Sequence, residues 1–305
     1  MDNMLLFWFY AEKRQNLVNE VKALWRSIIQ SKCLPNIKSG GSSFHECPAT
    51  VSVLGAIAAQ EVLKACTRTY SPLSQVYIHQ PFDAVAPSAI SHGKSGDSIH
   101  HDLMLMGGDE GLVSLYGNTT VEQLRNLNVL VVGVGAIGCE VLKVLHQLSV
   151  GQSNGSVTIT DPDYIERSNL NRQLFFRERD IGLSKAIIAA KYLKNLSSNQ
   201  FNVKSMTLAL SPENEHVFNP EFWKNIDVVI SALDSTEARL YVDKMAVSNA
   251  VWMIDAGTTG LKGSTQVIIP YVSESYASME DVPDKTAPIC TLKAFPYKVW
   301  TDHDL

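Results

Sequence analysis

Three observations predict an α/β fold, with a mainly parallel sheet, helices on both faces and a mostly helical N-terminal part. A short continuous apolar run at Val129–Val132 reads as a buried strand, and further strands read at Ser156–Thr160 and from Asp227 through Val-Val-Ile-Ser-Ala-Leu. Helical patterns of ten or more residues separate them, and a glycine-rich turn, Gly133-Val-Gly-Ala-Ile-Gly138, joins the first run to the first helix. Unbroken apolar strands alternating with helices are the pattern of a parallel sheet buried on both sides.

In chain order, residues near 4 to 30 show helical spacing through Leu17, Val21, Leu24, Trp25 and Ile28. The opening Met4-Leu-Leu-Phe-Trp-Phe-Tyr lacks a basic lead-in and runs into Glu12, Lys13 and Arg14, so it reads as a helix start rather than a signal peptide. Pro48 opens a second helix rich in small residues, and a strand-like Ser-Gln-Val-Tyr-Ile-His follows at residues 74–79. Residues 86–110, with Pro87, four glycines and His92, His100 and His101, read as a polar linker; a metal site there is the lesser reading.

The glycine turn comes next. Gly133, Gly135 and Gly138 let backbone amides approach phosphate oxygens, with a helix dipole behind them; Val141, Leu142, Leu145 and Leu148 give that helix an apolar side. On its own this spacing also serves to pack a strand on a helix. The second strand ends at Asp161, placed to accept hydrogen bonds from ribose hydroxyls. Up to here NAD and ATP fit equally.

The segment Thr160-Asp-Pro-Asp-Tyr-Ile-Glu-Arg-Ser-Asn-Leu-Asn-Arg-Gln separates the two. Arg172 offers a planar fork of donors, and Lys185, at the start of a helix over Ser184 to about Leu196, offers a point charge; both suit a polyphosphate. Asp234, at the carboxyl end of the third apolar run, is a natural ligand for phosphate-bound Mg²⁺. Each has a plainer alternative: a loop Arg or Lys is usually solvated, and Asp234 before Ser235, Thr236 and Glu237 also fits a helix N-cap.

These motifs together, with Asp255-Ala-Gly-Thr and Pro288-Ile-Cys-Thr-Leu-Lys, resemble the adenylation domain of the ubiquitin-activating (E1) enzymes, within the wider ThiF/MoeB superfamily, over most of residues 116–296. The likeness is to the second, active adenylation half. It implies a Rossmann-like ThiF-type fold. It also implies Mg-ATP-dependent adenylation of the C-terminal carboxylate of ubiquitin or a ubiquitin-like protein, then thioester formation on Cys290. Carried over, Asp161 would hold the ribose. Gly133, Gly135, Ala136 and Gly138 would line the phosphates, and Asn169, Arg172 and Lys185 would address the triphosphate with Gln173 close by. Asp234 would organise Mg²⁺; Asp163 matches the motif without a role. Cys290 comes from the resemblance alone, since a lone cysteine is usually a packing residue; Lys293 would favour its thiolate.

The resemblance divides the chain into residues 1–85, the end of an inactive adenylation half; 86–110, a linker; 111–275, the active adenylation domain; and 276–305, the start of a cysteine domain. On that reading an Arg-bearing motif of the inactive half, most of the cysteine domain and the ubiquitin-fold domain that docks a conjugating enzyme are missing, and the chain is a truncated piece. A remnant that binds nucleotide or a ubiquitin-like protein without turnover therefore competes with a working activating enzyme. The Ser-Asn-Leu-Asn-Arg-Gln cluster and the lack of an evident hydride-transfer site count against a dinucleotide oxidoreductase. A sulfur-carrier-activating relative would usually carry zinc cysteine pairs. The five cysteines, Cys33, Cys47, Cys66, Cys139 and Cys290, form no C-x-x-C pair.

Composition agrees with this. The 305 residues are 45% hydrophobic and 19% charged, enough for a packed core. The net charge of −5 brings no basic stripe, so nucleic acid is not an expected partner. No apolar run reaches the ~18–20 residues of a membrane helix. The expected location is cytoplasmic and nuclear.

Overall fold

A computed structural model describes residues 48–68, 70–74, 77, 112–113, 116–196, 201–259 and 262–278. All of these fall in one of the two units into which the chain divides, His45–Leu305. The helical reading of residues 4–30, the 86–110 linker and the Cys290 segment lie outside the described residues, as do four of the six positions of the strand-like 74–79 run.

Helix α1 spans Pro48–Thr67, as its opening proline suggests, and packs against α3. Helix α2 (Asn118–Asn126) leads into β1 (Asn128–Val132), α3 (Ala136–Gln147) and β2 (Ser156–Thr160). Then come α4 (Lys185–Leu196), β3 (Val203–Met206), the short α5 (Pro220–Trp223), β4 (Val228–Ser231), α6 (Thr236–Ser248), β5 (Trp252–Thr259) and β6 (Lys262–Ile268). The sheet order is β3-β2-β1-β4-β5-β6. Strands β1 to β5 are parallel, and β6 returns antiparallel against β5, with Met253 opposite Ile268.

Alternation along the strands makes two cores. Val129 and Val131 of β1 join Val157, Ile159, Val203 and Ile230 under Cys139 and Leu142 of α3 and Ala186, Ala189 and Leu193 of α4. Leu130 and Val132 face the other way, with Val229, Met253 and Ile268, toward Trp223 of α5 and Val242 and Ala246 of α6. Helices thus cover both faces. Trp223 is almost wholly buried and satisfies its indole N–H on the Phe218 carbonyl at 2.9 Å, so its large apolar ring enters the core at no polar cost.

The order decides where a ligand fits. From β1 the chain runs outward to β2 and β3, then returns to place β4 on the other side of β1. Their carboxyl ends flank the topological switch point, the place where open parallel sheets bind ligands.

Candidate nucleotide-binding site

The turn after β1 lies at that switch point. Gly133 has φ +94°, and a β-carbon there would stand 2.7 Å from the Ala232 carbonyl oxygen of the β4–α6 turn. A β-carbon on Gly138 would collide with the Gly133 carbonyl. These two glycines let the β1–α3 turn pack directly on the β4–α6 turn. Gly135 is different: its φ of −74° suits any residue, and nothing lies within 4 Å of where its β-carbon would be. Gly135 is also the N-cap of α3, and no side chain caps the helix. Its first amides therefore have no side-chain acceptor, and an uncapped helix start of this kind can receive an anion.

Asp161 closes one side. It is buried, and its carboxylate accepts from the Val134 amide at 2.6 Å and the Asp163 amide at 2.8 Å. Burial raises its pKa, while those amides and the Lys185 ammonium pull it down. Lys185, the first residue of α4, is also buried and donates to Asp163 at 2.8 Å. The Asp163 carbonyl accepts the Lys185 amide as well. Asp163 thus gains a part that the sequence left open: it joins the end of β2 to the start of α4 and aims the lysine. Val134, Asp161, Asp163 and Lys185 form one hydrogen-bonded chain beside the glycine turn.

The loop between β2 and α4 folds on itself. Asn169 is buried in a short 3₁₀ turn and accepts the Glu166 amide at 2.9 Å; its own carbonyl takes the Arg172 and Gln173 amides. Arg172 is exposed, with Nη1 donating to the Ser168 carbonyl at 2.6 Å and to Asn171 at 3.2 Å. Gln173 is buried, and its side-chain oxygen has no partner. Phe175 and Phe176 anchor the loop in the core, and the Phe175 amide lies against the Cys139 sulfur at the start of α3. The loop therefore returns to the first turn of α3. Asn169, Arg172 and Gln173 make no described hydrogen bond to Asp161, Lys185 or Asp234; what places them is this fold-back.

Asp234 closes the other side, on the β4–α6 turn. The capping alternative fails for it. Ser235 is the N-cap, its Oγ accepting the Ala238 amide at 3.2 Å, and Asp234 is left exposed. Sequence reasoning missed Arg239 and Asp255, a pair at 3.1 Å beneath this turn. The signal lay in the Asp-Ala-Gly-Thr motif, but nothing in spacing pairs a helix arginine with a strand aspartate.

Cys139 is buried, and desolvation pushes its thiol up to about 12, which leaves it inert as a nucleophile and a core residue as expected. Cys66 is exposed on α1.

Residues 109–296 match the ThiF family. The chain belongs to that family. It is 36% identical over 260 residues to "Ubiquitin-activating enzyme E1 1" of Candida albicans, covering 85% of this chain and 25% of that protein. It is 42% identical over 249 residues to the human "Ubiquitin-like modifier-activating enzyme 6", covering 80% and 23%. The chain thus spans about a quarter of the length of these relatives. A crystal structure of E. coli MccB with MccA-N7isoASN matches with a TM-score of 0.49 and 24% identity, over 55% of this chain and 48% of that one.

A nucleoside triphosphate with a divalent cation fits these residues. The uncapped first turn of α3, the open space over Gly135, the buried Lys185 ammonium and the exposed Asp234 carboxylate are complementary to a polyphosphate and its counter-ion. Among the described residues, no group of three or more His, Cys, Asp or Glu side chains is placed to hold a metal. No helix among them is long and apolar enough to cross a membrane.

Proposed function

We propose that this chain carries the adenylating part of an enzyme that activates ubiquitin or a ubiquitin-like protein. The observation that carries the reading is the uncapped N-terminus of α3 at the switch point, flanked by Asp161 and Lys185 on one side and Asp234 on the other. The relatives' names, and the match of the activating-enzyme motifs, supply the substrate class.

In this reading the modifier's C-terminal carboxylate attacks the α-phosphate of ATP, forming an acyl-phosphate bond and expelling pyrophosphate. The carboxylate is already ionised near neutral pH, so the chain supplies no general base; it must orient and neutralise. Asp161 takes the ribose hydroxyls on the lone pairs its two amide donors leave. The amides of Gly135, Ala136 and Gly138 donate to phosphate oxygens. Lys185, held by Asp163, places its charge on the triphosphate. Arg172 keeps most of its guanidinium donors for the departing pyrophosphate while Ser168 fixes the side chain. Asn169 spends its side-chain oxygen on the Glu166 amide and keeps its NH₂ as a donor for the triphosphate, with Gln173 close by in sequence. Asp234 would hold Mg²⁺, which when bound neutralises charge along the polyphosphate. The acyl group then passes to the Cys290 thiolate with release of AMP, and in the complete system to the cysteine of a conjugating enzyme.

Two substitutions test the division of labour. Asp234→Ala is expected to abolish Mg-dependent ATP use and leave the melting curve unchanged; native turnover in that variant would remove Asp234 from the site. Cys290→Ala is expected to keep adenylation and lose the reducible ubiquitin adduct. An adduct that survives in it would assign the thioester to another thiol.

A further inference from the structure

We propose that Arg239 is a positioning residue for Asp234: it fixes the β4–α6 turn so that the Asp234 carboxylate is presented to a divalent cation. The inference rests on the reading of Asp234 given under the proposed function and names the group that makes it work.

Three contacts carry it. Arg239 extends from the first turns of α6 back beneath the turn that leads into it. Its Nε and Nη2 both donate to the Leu233 carbonyl, at 3.0 and 2.5 Å, and that carbonyl belongs to the peptide joining Leu233 to Asp234. Its Nη1 donates to Asp255 Oδ2 at 3.1 Å. Asp255 lies on β5 in register with Ser231, the last residue of β4, so one guanidinium ties the turn to the neighbouring strand. Gly257, two residues further along the same face of β5, has no room for a β-carbon because the guanidinium occupies that space. The arginine is thus boxed by its own helix, by β5 and by the turn.

Stability alone does not call for this arrangement. The Arg239 and Asp255 side chains are 14% and 5% exposed, and an ion pair this dry loses much of its attraction to desolvation, so packed apolar residues would hold the helix on the sheet at least as well. What the pair adds is geometry. A planar fork serves a carbonyl and a carboxylate at once, and no other side chain spans both. Groups that orient a metal ligand from behind in this way govern metal affinity more than folding.

The test is a Mg²⁺ titration of the full chain with a fluorescent N-methylanthraniloyl ATP, repeated in EDTA, at a temperature well below the melting transition. Arg239→Lys keeps the charge beside Asp255 but cannot span both acceptors. The double variant Arg239→Gln with Asp255→Asn removes the buried charges together, so it does not strand one of them. Both are expected to need about ten- to hundredfold more Mg²⁺ for half-maximal binding, with affinity in EDTA within about twofold of native. Cooperatively melting variants with the native Mg²⁺ dependence would overturn the positioning role alone. Equal losses with and without Mg²⁺, or failure of both variants to melt cooperatively, would assign Arg239 to the fold and overturn it as well. Asp234→Ala is the control: if it keeps the native Mg²⁺ dependence, the reading of Asp234 falls, and the role of Arg239 falls with it.

Discussion

Asp161 and Lys185 were legible as residue types at strand and helix ends, because a parallel sheet collects its chemistry there. Their partners were not. That Asp163 holds Lys185, and that Ser235 rather than Asp234 caps α6, are decided by how two turns pack, which spacing along the chain does not encode. Away from the site, His146 carries a pH dependence of its own. Its ring stacks edge-on against Phe201, Nε2 is buried without a partner, and burial lowers its pKa below the ordinary value of about 6.5. Below that value the unfolded chain binds a proton that the folded chain resists, so stability is lost as the pH falls from about 6.5 through the lowered folded value. Thermal melts between pH 7.5 and 5.5 should show this decline, and His146→Gln should flatten it. An equally steep decline in the variant would place the titrating group elsewhere.

At the scale of elements, the first two strands and the helix after the β2–α4 loop were read to within a residue, whereas the run from Asp227 through Leu233 is a strand only over Val228–Ser231. Val129–Val132 became Asn128–Val132, Ser156–Thr160 was unchanged, and the helix from Ser184 begins at Lys185. Continuous apolar runs in a parallel sheet and a proline at a helix start are strong local signals. The β2–α4 loop is weaker ground: its fold-back depends on Phe175 and Phe176 entering the core, a long-range event. The glycine turn separates two duties that one motif hides. Gly138→Ala drives a methyl group into the Gly133 carbonyl and should cost about 1–3 kcal/mol of stability, read from denaturant unfolding. Gly135→Ala meets nothing and should unfold as the native chain does while losing nucleotide affinity, because its methyl group occupies the space over the helix amides. If Gly135→Ala bound ATP as tightly as native, phosphate would have to sit elsewhere.

Taken as a whole, the molecule joins a ThiF-family sheet to the preceding helix α1, and only about a quarter of its long relatives' length is represented. The fold class was legible because one alternation of strand and helix admits few topologies. The proposed function rests less on any single residue than on the conjunction of the glycine turn, the Asn-Arg-Gln loop and the aspartate after β4. That conjunction predicts a site able to adenylate a modifier's carboxylate. Ubiquitin-dependent exchange of labelled pyrophosphate into ATP by the purified chain tests this most directly. Exchange that requires Mg²⁺ and ubiquitin, and that is lost in Asp234→Ala, is expected. Tight ATP binding with no exchange, across ubiquitin and its homologues, would contradict it and leave a nucleotide-binding domain without adenylating activity.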